Sequence, residues 1–451
     1  MAQIESYATD YANGLLAQLG APQRLQPRPE IHPALRWAQS GAMALTGYPQ
    51  EPPQMCPVPL ASYADGIVAA LQAVQPGPGL EQLDGGRLLG ERAALTGYAR
   101  AGDVSAGGSC RLLQCEDGWL AVNLARASDW ELLPAWLEGG DIRGWGGVAA
   151  ALSTRGVQEC LARGRLLGLA LAAMRAEQQP AVRWFRESHR VAPGSPPPPG
   201  AVPTVIDLSA LWAGPLCTHL LQRMGAQVIK IESTTRPDGM REAGDGSYDL
   251  LNAGKESVAL NLARPADLHQ LRLLLGRADI VVEASRPRAL RQLGIHAEAL
   301  LEENRGLTWV SITGHGREGS CADWVAFGDD GAVAGGLSQV LWDASGRAMF
   351  CADAIADPLT GLHAALAAWV SYRRGGGQLL SLALADVVAH GIQCAALEDA
   401  EACRARAREW TGRVRDVDVA GPRARPTVAR ARELGADTAQ VLSRTAHPPQ
   451  R

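Results

Sequence analysis

The fold is decided by residues 203–232, PTVIDLSALWAGPLCTHLLQRMGAQVIKIE. Its first part, TVIDLS (204–209), is β-branched and apolar and predicts a buried strand. GPLCTHLLQRMG (214–225) has the apolar spacing of a helix, and AQVIKIE (226–232) predicts a second strand. Two strands that flank one helix predict a parallel pair, because parallel strands need a crossover connection.

The same alternation continues along the chain to residue 314. We expect further strands at 257–262, 279–284 and 307–314, and helices at 265–278, 288–294 and 296–304. This order predicts an open, largely parallel sheet with helices on both faces. In such sheets, ligands bind outside the carboxyl ends of the strands.

A smaller unit precedes this region. CRLLQC (110–115) and GWLAVNL (118–124) predict a hairpin that turns at Glu116-Asp117-Gly118. Helices are expected at about 148–163 and 165–177, which gives a small α+β unit. APGSPPPPGAVP (192–203) then predicts a stiff linker of polyproline type.

These features divide the chain into five parts. We expect a helical segment at 1–100 with helices at 33–47 and 61–74, a small α+β domain at 101–190, a Pro-rich linker at 191–203, a large α/β domain at 204–395 and an Arg-rich tail at 396–451.

The composition excludes several classes of function. The net charge of −4 gives no basic field for nucleic acid or an anionic membrane. The positive charge is almost all arginine, with lysine only at Lys230 and Lys255. Nine scattered cysteines without metal-ligand spacing indicate reduced thiols. No apolar run reaches membrane-spanning length and the N-terminus has no signal pattern, so we expect a cytoplasmic protein.

A single carboxylate, Asp357, stands before the most apolar helical pattern of the chain. Asp357 fits an N-cap, Pro358 fits the first helical position, and the Gly run at 375–377 ends the segment. The local pattern alone favours a plain helix cap over a catalytic group. Asp329, Asp330 and Asp353 lie nearby in sequence, but their spacing is not that of a calcium loop, and we predict no metal.

A weak repeat relates this helix to the N-terminal segment. ASYADGIVAALQAV (61–74) aligns with ADPLTGLHAALAAW (356–369) at a spacing of 295 residues, which pairs Ser62 with Asp357. SGAMALTG (40–47) parallels DGAVAGGL (330–337) at nearly the same spacing. The matching residues are common small or aliphatic types, so chance similarity is a competing explanation.

Two groups of residues are candidates for binding an anion. Trp212-Ala213-Gly214-Pro215 forms a tight turn from the first strand into its helix. Arg236, Arg241 and Lys255 lie in loops near the same edge, where an acidic protein would need local positive charge for a polyanion. A solvated polar loop is an equally good interpretation. His315, at a strand end, can line a site there.

Together these motifs resemble the class III CoA-transferase family, which includes formyl-CoA transferase, carnitine CoA-transferase and the α-methylacyl-CoA racemases. The resemblance runs in the family's own order over about 203–395. It is carried by the opening stretch and by RPDGMR (236–241), NAGKESVALNL (252–262), ADIVVEASRP (278–287), LGI (293–295), WVSITGHGREG (309–319) and ADPLTGLHAALAAW (356–369).

The resemblance implies a Rossmann-like large domain, a small α+β domain and a homodimer. It implies that Asp357 is the nucleophile toward an acyl-CoA, that the acceptor is a carboxylic acid, and that Gly107-Gly108 cover the acyl-aspartyl intermediate. Coenzyme A would be bound by Trp212, Ala213, Gly214, Pro215, Arg236, Arg241, Lys255 and Arg291. The small domain precedes the large-domain core here and follows it in the family, which suggests a rearranged chain.

The chain departs from the family pattern at several positions. Phe327-Gly328-Asp329 stands where racemases carry Gly-His-Asp, which disfavours two-base racemisation. Trp212 replaces a frequent Gln, and Ser233 replaces an Arg. We therefore hold three hypotheses: a CoA-transferase, a racemase or isomerase with His315 as the substitute base, and a CoA-binding protein without turnover.

Overall fold

The computed structural model describes residues 6–139, 142–174 and 182–446. The N-terminal segment is helical, as predicted. Its helices are α1 (Tyr7–Gln18), α2 (Pro33–Ser40), α3 (Leu60–Val74), α4 (Pro78–Glu81), α5 (Gly85–Leu88) and α6 (Glu91–Thr96). Pro33 occupies the first position of α2, where its missing N–H costs nothing, and the His32 ring accepts the Ala34 N–H.

The predicted hairpin is confirmed, and a third strand completes a small sheet. The elements are β1 (Cys110–Cys115), β2 (Gly118–Asn123), α7 (Ala127–Glu131), α8 (Leu133–Leu137), α9 (Gly144–Leu152), α10 (Val157–Leu166) and β3 (Ala170–Met174). The helix predicted at 165–177 is wrong, because Ala170–Met174 pairs antiparallel with β2. The Ala-rich sequence favours a helix locally, but this segment instead forms a strand because it pairs with the free edge of β2 and its side chains are buried there. Residues 175–177 of that prediction lie outside the described residues.

The large domain is built on a seven-stranded sheet. Its strands are β4 (Arg186–Arg190), β5 (Thr204–Leu208), β6 (Gln227–Ser233), β7 (Glu256–Leu260), β8 (Ile280–Glu283), β9 (Thr308–Thr313) and β10 (Gln378–Ala383). Its helices are α11 (Ala213–Arg223), α12 (Ser247–Asn252), α13 (Pro265–Gly276), α14 (Pro287–Gln292), α15 (Ala297–Glu303), α16 (Gly328–Ala334), α17 (Leu337–Ser345), α18 (Ala356–Arg373), α19 (Leu384–Cys394), α20 (Ala400–Arg413) and α21 (Thr438–Ala446).

The sheet has a doubly wound strand order. The order is β4-β10-β9-β8-β5-β6-β7, and every pair is parallel except β10 with the edge strand β4. The chain runs outward from β5 in one direction through β6 and β7, and then in the other through β8, β9 and β10. The predicted α/β fold with an open, Rossmann-like parallel sheet is therefore confirmed. Its direction reverses between β5 and β8, which opens a crevice at their carboxyl ends.

The N-terminal helices share one hydrophobic core with the large domain. Trp37, Ile67 and Leu71 belong to the same buried cluster as Leu216 of α11 and Leu366 of α18. The N-terminal helices therefore cannot separate from the large domain without exposing apolar surface.

Two of the N-terminal helices align with two helices around Asp357 at one constant spacing along the sequence. At 295 residues, α2 aligns with α16 and α3 with α18. The left-handed glycines that end the first pair, Gly41 and Gly336, also align at 295. This spacing corrects the offset of the 40–47 segment, which the sequence alignment placed five residues away. Cys56 and Cys351 align at the same spacing, and their side chains interact with each other.

A second alignment relates α1 to α11 at a spacing of 205 residues. Gly20 and Gly225 follow the two helices with positive φ angles of 64° and 102°. The N–H groups of Ala21 and Ala226 reach back to the carbonyls of Leu16 and Leu221 at 2.9 and 3.0 Å. This is the same helix ending in both places.

Candidate active site

The crevice between β5 and β8 is entered by a tight turn. Leu211 in this turn has a φ of +67°, which is rare for a branched side chain. A Cβ on Gly214 would lie 2.2 Å from the Ser209 Cβ, so the turn requires glycine there. The four residues 212–215 are buried at the start of α11. The turn predicted at this point is confirmed.

Asp357 lies beside this turn, in the first turn of α18. Helix α18 begins at Ala356 with Ile355 as its N-cap, so the prediction of Asp357 as the cap is wrong by two positions. A Cβ on Gly361 would lie 2.7 Å from the Ala213 carbonyl oxygen, so the first turns of α18 and α11 pack closely. Asp357 is a half-buried residue, and its Oδ2 lies so close to Gly328 that a Cβ there would be 2.5 Å away.

The loop before α18 is conformationally strained. Ala352 and Ala354 have φ angles of 55° and 41°, which alanine rarely adopts. The Ala354 N–H donates to Asp329 at 2.9 Å, and the Ala352 N–H donates to the Thr46 hydroxyl at 3.0 Å. These contacts hold the loop in the conformation that sets the position of Asp357.

Three buried carboxylates surround Asp357. Asp329 and Asp330 begin α16, and Asp353 lies in the strained loop. Burial raises the pKa of Asp357 to about 7, opposed by the charge of Arg92 and reinforced by the three neighbouring acids. Burial likewise raises the pKa of Asp330 to about 7. A carboxyl group whose pKa lies near neutrality can be protonated and deprotonated at working pH.

Arg92 of α6 is the cation of this site. Its guanidinium donates to both oxygens of Asp353, at 2.9 and 2.5 Å. It also lies 5.1 Å from the centre of the Trp212 ring. Arg92 thus connects the N-terminal segment, the crevice turn and the loop before Asp357 through charge-assisted contacts.

The small domain reaches the same carboxylates. Asn123 of β2 donates its side-chain N–H to Asp330 at 2.8 Å, and the Ser105 hydroxyl interacts with Asp329. A Cβ on Gly107 would lie 3.3 Å from the Tyr98 ring and 3.9 Å from an Arg92 nitrogen, whereas one on Gly108 would meet nothing within 4 Å. The Gly107-Gly108 loop therefore lies beside Arg92 and is open on its outer side.

The structure buries Lys255, which we had expected to bind coenzyme A. Its Nζ contacts Asp207 at 3.0 Å, Thr218 at 2.7 Å and Asn252 at 2.9 Å. Burial lowers the pKa of Lys255 to about 8 despite the Asp207 charge. The ammonium group cannot reach a ligand without breaking these bonds, so its assignment to phosphate binding is corrected to a structural role. Lys230, also buried, pairs with Asp238 at 3.1 Å.

The predicted arginines differ in how far they are available to a ligand. Arg241 donates two hydrogen bonds to Glu232, and Arg291 pairs with Glu298 at 3.1 Å. Arg236 is exposed, and the described residues give it no ion pair. Only Arg236 therefore keeps its full donor capacity for a phosphate.

Arg236 belongs to an arginine cluster that includes residues absent from the sequence prediction. Burial and the charges of Arg288, Arg126 and Arg236 lower the pKa of Arg286, opposed by the charge of Asp323, so these side chains lie near one another. Arg286 follows β8, so the cluster lies along the carboxyl edge of the sheet. Arg126 pairs with Asp129 at 2.6 Å and Arg288 with Asp323 at 3.4 Å, which neutralises part of this positive charge, and the remainder suits a polyanion.

His315 follows the carboxyl end of β9 and contacts Trp324. The two ring centres are 5.6 Å apart, and the Arg165 guanidinium lies 3.7 Å from the centre of the Trp324 ring. The structure brings Asp357, Arg92 and the glycine loop together, and a catalytic role of His315 stays a prediction.

Among residues 6–139, 142–174 and 182–446, no three His, Cys, Asp or Glu side chains are arranged to hold a metal ion. In the same ranges, no helix has the length and apolar character needed to cross a membrane.

Arg92 and the arginine cluster were missed by sequence reasoning. Arg92 lies 265 residues from Asp357 in a chain with many arginines, and no local pattern distinguishes it. The Arg-Pro-Arg sequence at 286–288, directly after the strand β8, was the available signal for the cluster.

Comparison with known proteins agrees with this geometry. Residues 203–422 match the model of CoA-transferase family III. The chain is 31% identical over 204 residues to succinyl-CoA–D-citramalate CoA-transferase of Chloroflexus aurantiacus, covering 43% of this chain and 51% of that protein. It is 32% identical over 214 residues to succinate–glutarate CoA-transferase of Agrobacterium fabrum, covering 43% and 53%. The chain thus spans about half the length of these relatives.

A solved structure, the hypothetical protein Rv3272 of Mycobacterium tuberculosis, matches at 27% identity with a TM-score of 0.39, covering 42% of this chain and 56% of that one. The sheet order and the family model, rather than this partial overlap, identify the domain. Residues 203–422, which carry the crevice, Asp357 and most of the arginine cluster, belong to CoA-transferase family III.

Proposed function

We propose that the protein transfers coenzyme A from an acyl-CoA to a carboxylic acid, with Asp357 as the nucleophile. The observation that carries this proposal is the position of Asp357. Asp357 is half-buried in the first turn of α18, at the crevice where the sheet order reverses. A helix N-terminus stabilises the ionised, nucleophilic form of a carboxylate.

The first half of the reaction releases the donor acid. An Asp357 oxygen attacks the thioester carbonyl, the C–S bond breaks, and an acyl-aspartyl anhydride and a CoA thiolate form. The thiolate then attacks the Asp357 carbonyl carbon, which gives an aspartyl-CoA thioester and frees the donor as a carboxylate. The second half runs the same steps in reverse with the acceptor acid and regenerates Asp357.

The surrounding residues support this sequence of steps. Arg92 holds Asp353 at two oxygens and opposes the rise in the pKa of Asp357, so part of the carboxylate is ionised at neutral pH. The Gly107-Gly108 loop lies beside Arg92, and the open space at Gly108 leaves room for the loop to cover an intermediate. The positive end of the α18 dipole favours the negative charge that develops on the attacked carbonyl.

The arginine cluster supports binding of the CoA phosphates. Arg236, Arg286 and Arg288 follow the carboxyl ends of β6 and β8, on the edge that holds Asp357. We assign the phosphates mainly to Arg236 and Arg286, because Lys255, Arg241 and Arg288 are engaged with protein carboxylates. The succinyl donors in the names of the relatives make succinyl-CoA the first donor to test.

The test is chemical trapping. The protein is incubated with succinyl-CoA, treated with hydroxylamine or borohydride, and digested for mass spectrometry. We expect a modification on the peptide that contains Asp357, and none when Asp357→Asn is treated in the same way. Tight CoA binding with no modification and no turnover across an acyl-CoA panel would favour the CoA-binding protein instead. The homodimer stays a prediction, which light scattering in solution tests.

A further inference from the structure

A cavity of about 330 Å³ lies at the opposite end of α18 from Asp357. The last turn of α18, the end of α1 and the strands β4 and β10 form its walls. From Asp357 to Arg374 the helix rises about 25 Å, at 1.5 Å per residue. The cavity is therefore separate from the crevice, and its volume is in the range of pockets that hold small molecules.

Three arginines face this cavity, and one carboxylate does. Arg183, Arg190 and Arg374 line it together with Glu187. Arg190 contacts Glu187 at 3.5 Å, and the Gln378 side chain also donates to that carboxylate. The single negative charge is thus shared, and the cavity keeps an excess of two positive charges.

The guanidinium groups have donors to spare. Arg183 is exposed, and in the described part of the chain it makes no hydrogen bond or ion pair. Arg374 donates one N–H to the Leu19 carbonyl at 2.6 Å, which leaves the other side of its guanidinium unused. Guanidinium donors arranged in this way match the oxygens of carboxylates and phosphates.

The backbone at the end of α1 is adapted to Arg374. Gly20 has a φ of +64°, and a Cβ there would lie 2.7 Å from an Arg374 guanidinium nitrogen. A side chain at position 20 would therefore displace the guanidinium. Phe185 forms an apolar wall of the same cavity, so one face of a bound molecule would be shielded from water.

We propose that this cavity is a binding site for a small polyanion, held by Arg183, Arg190 and Arg374. Its ligand carries at least two negative charges, either as a di- or tricarboxylate or as a phosphate group. This inference does not depend on the proposed CoA transfer, because it concerns different residues at the amino end of the sheet.

The test uses calorimetric titration of the full-length protein at low ionic strength, with citrate as the polycarboxylate probe and inorganic phosphate as the other. We expect one of the two to bind with a Kd below about 1 mM, and the stronger probe identifies the source of the negative groups. Arg183→Gln and Arg374→Gln should each raise that Kd at least tenfold. Arg408→Gln, an exposed arginine on α20 away from the cavity, is the matched control and should leave the Kd unchanged.

Arg183→Gln also guards against a folding defect, because among the described residues this side chain has no hydrogen bond or ion pair whose loss could destabilise the protein. The proposal is overturned if neither probe binds the wild-type protein, or if both variants bind the stronger probe as the wild type does. It is equally overturned if Arg408→Gln weakens binding as much as Arg183→Gln, since the effect would then come from net charge alone.

Discussion

The helices α3 and α18 pack in the same way but differ in the chemistry they carry. A Cβ on Gly66 of α3 would lie 2.3 Å from the Ala8 carbonyl oxygen, and one on Gly361 of α18 would lie 2.7 Å from that of Ala213. Each helix thus approaches the start of its partner, α1 or α11, through a glycine. When the two segments are aligned at the spacing of 295 residues, each of the four acids of the site corresponds to an uncharged residue. Asp329 aligns with Ala34, Asp330 with Leu35, Asp353 with Val58 and Asp357 with Ser62.

The difference separates what the packing requires from what the reaction requires. Both helices keep small residues and the glycine contact, because the shared core demands them. Only the region around α18 carries the carboxylates. Burying them among like charges lowers the stability of the fold, so their presence indicates a role other than packing. We infer that Asp357 alone is the reactive position and that α3 is a structural counterpart.

The largest expected effect comes from the two aligned positions. Asp357→Asn should lower kcat at least about 10³-fold, because the amide cannot form the anhydride. Ser62→Ala is the matched control and should keep kcat within about twofold. Steady-state assays of both variants with succinyl-CoA decide the point, and equal losses in the two would show that the helices contribute alike.

The second expected effect contrasts two paired arginines. Arg92 holds Asp353 beside the site, whereas Arg36 of α2 holds Asp65 and Asp84 in the N-terminal segment. Arg92→Gln removes the cation nearest to Asp357 and should raise the pKa of that carboxyl by about one unit. Activity at pH 7 should then fall about fivefold and recover at higher pH.

Arg36→Gln removes a buried guanidinium from two partly exposed carboxylates and should lower the free energy of unfolding by about 1–3 kcal/mol. The Arg36→Gln variant should have the same pH–activity midpoint as the wild type. An unshifted midpoint in Arg92→Gln, or a shifted one in Arg36→Gln, would contradict the role we assign to Arg92.

The third expected effect tests the shared packing. Gly66→Ala and Gly361→Ala each place a methyl group against a backbone oxygen and should cost about 1–3 kcal/mol of unfolding free energy. Gly14→Ala on α1, where a Cβ meets nothing within 4 Å, is the control and should be neutral or slightly stabilising. Chemical denaturation measures all three, and a tolerated alanine at 66 or 361 would rule out the close approach.

The fold was largely predictable, and the site only in part. The strands from β5 to β9 are apolar, β-branched runs between helical patterns, and such local signals are reliable. β4, with the sequence RESHR, is a polar edge strand and carries no such signal. The burial of Lys255 depends on Asp207 and Thr218, which meet it only after the sheet forms. The partnership of Arg92 with Asp353 likewise links distant parts of the chain and has no local pattern.

The smallest expected effect is the pH dependence of the wild type. With a pKa of about 7 for Asp357, the ionised fraction, and hence kcat/KM, should rise about threefold between pH 6.5 and 7.5 and level off above. The same titration should appear in the dependence of unfolding free energy on pH, and Asp357→Asn should remove it.

The pKa of Asp357 in the folded protein lies above the ordinary value of 3.8. Its carboxyl group therefore stabilises the folded protein least above pH 7 and increasingly as the pH falls toward 4. The variant should therefore gain stability relative to the wild type as pH rises from about 4 to 7.

The covalent role of Asp357 is tested most directly by isotope transfer. An acceptor acid labelled with ¹⁸O in both carboxyl oxygens is turned over with succinyl-CoA, and the protein is digested for mass spectrometry. The acceptor attacks the aspartyl thioester through one labelled oxygen, which stays on Asp357 when the new acyl-CoA leaves. We predict a gain of one ¹⁸O at Asp357 after a single turnover. Turnover that leaves the Asp357 peptide unlabelled would contradict the aspartyl intermediate and, with it, the difference we draw between α18 and α3.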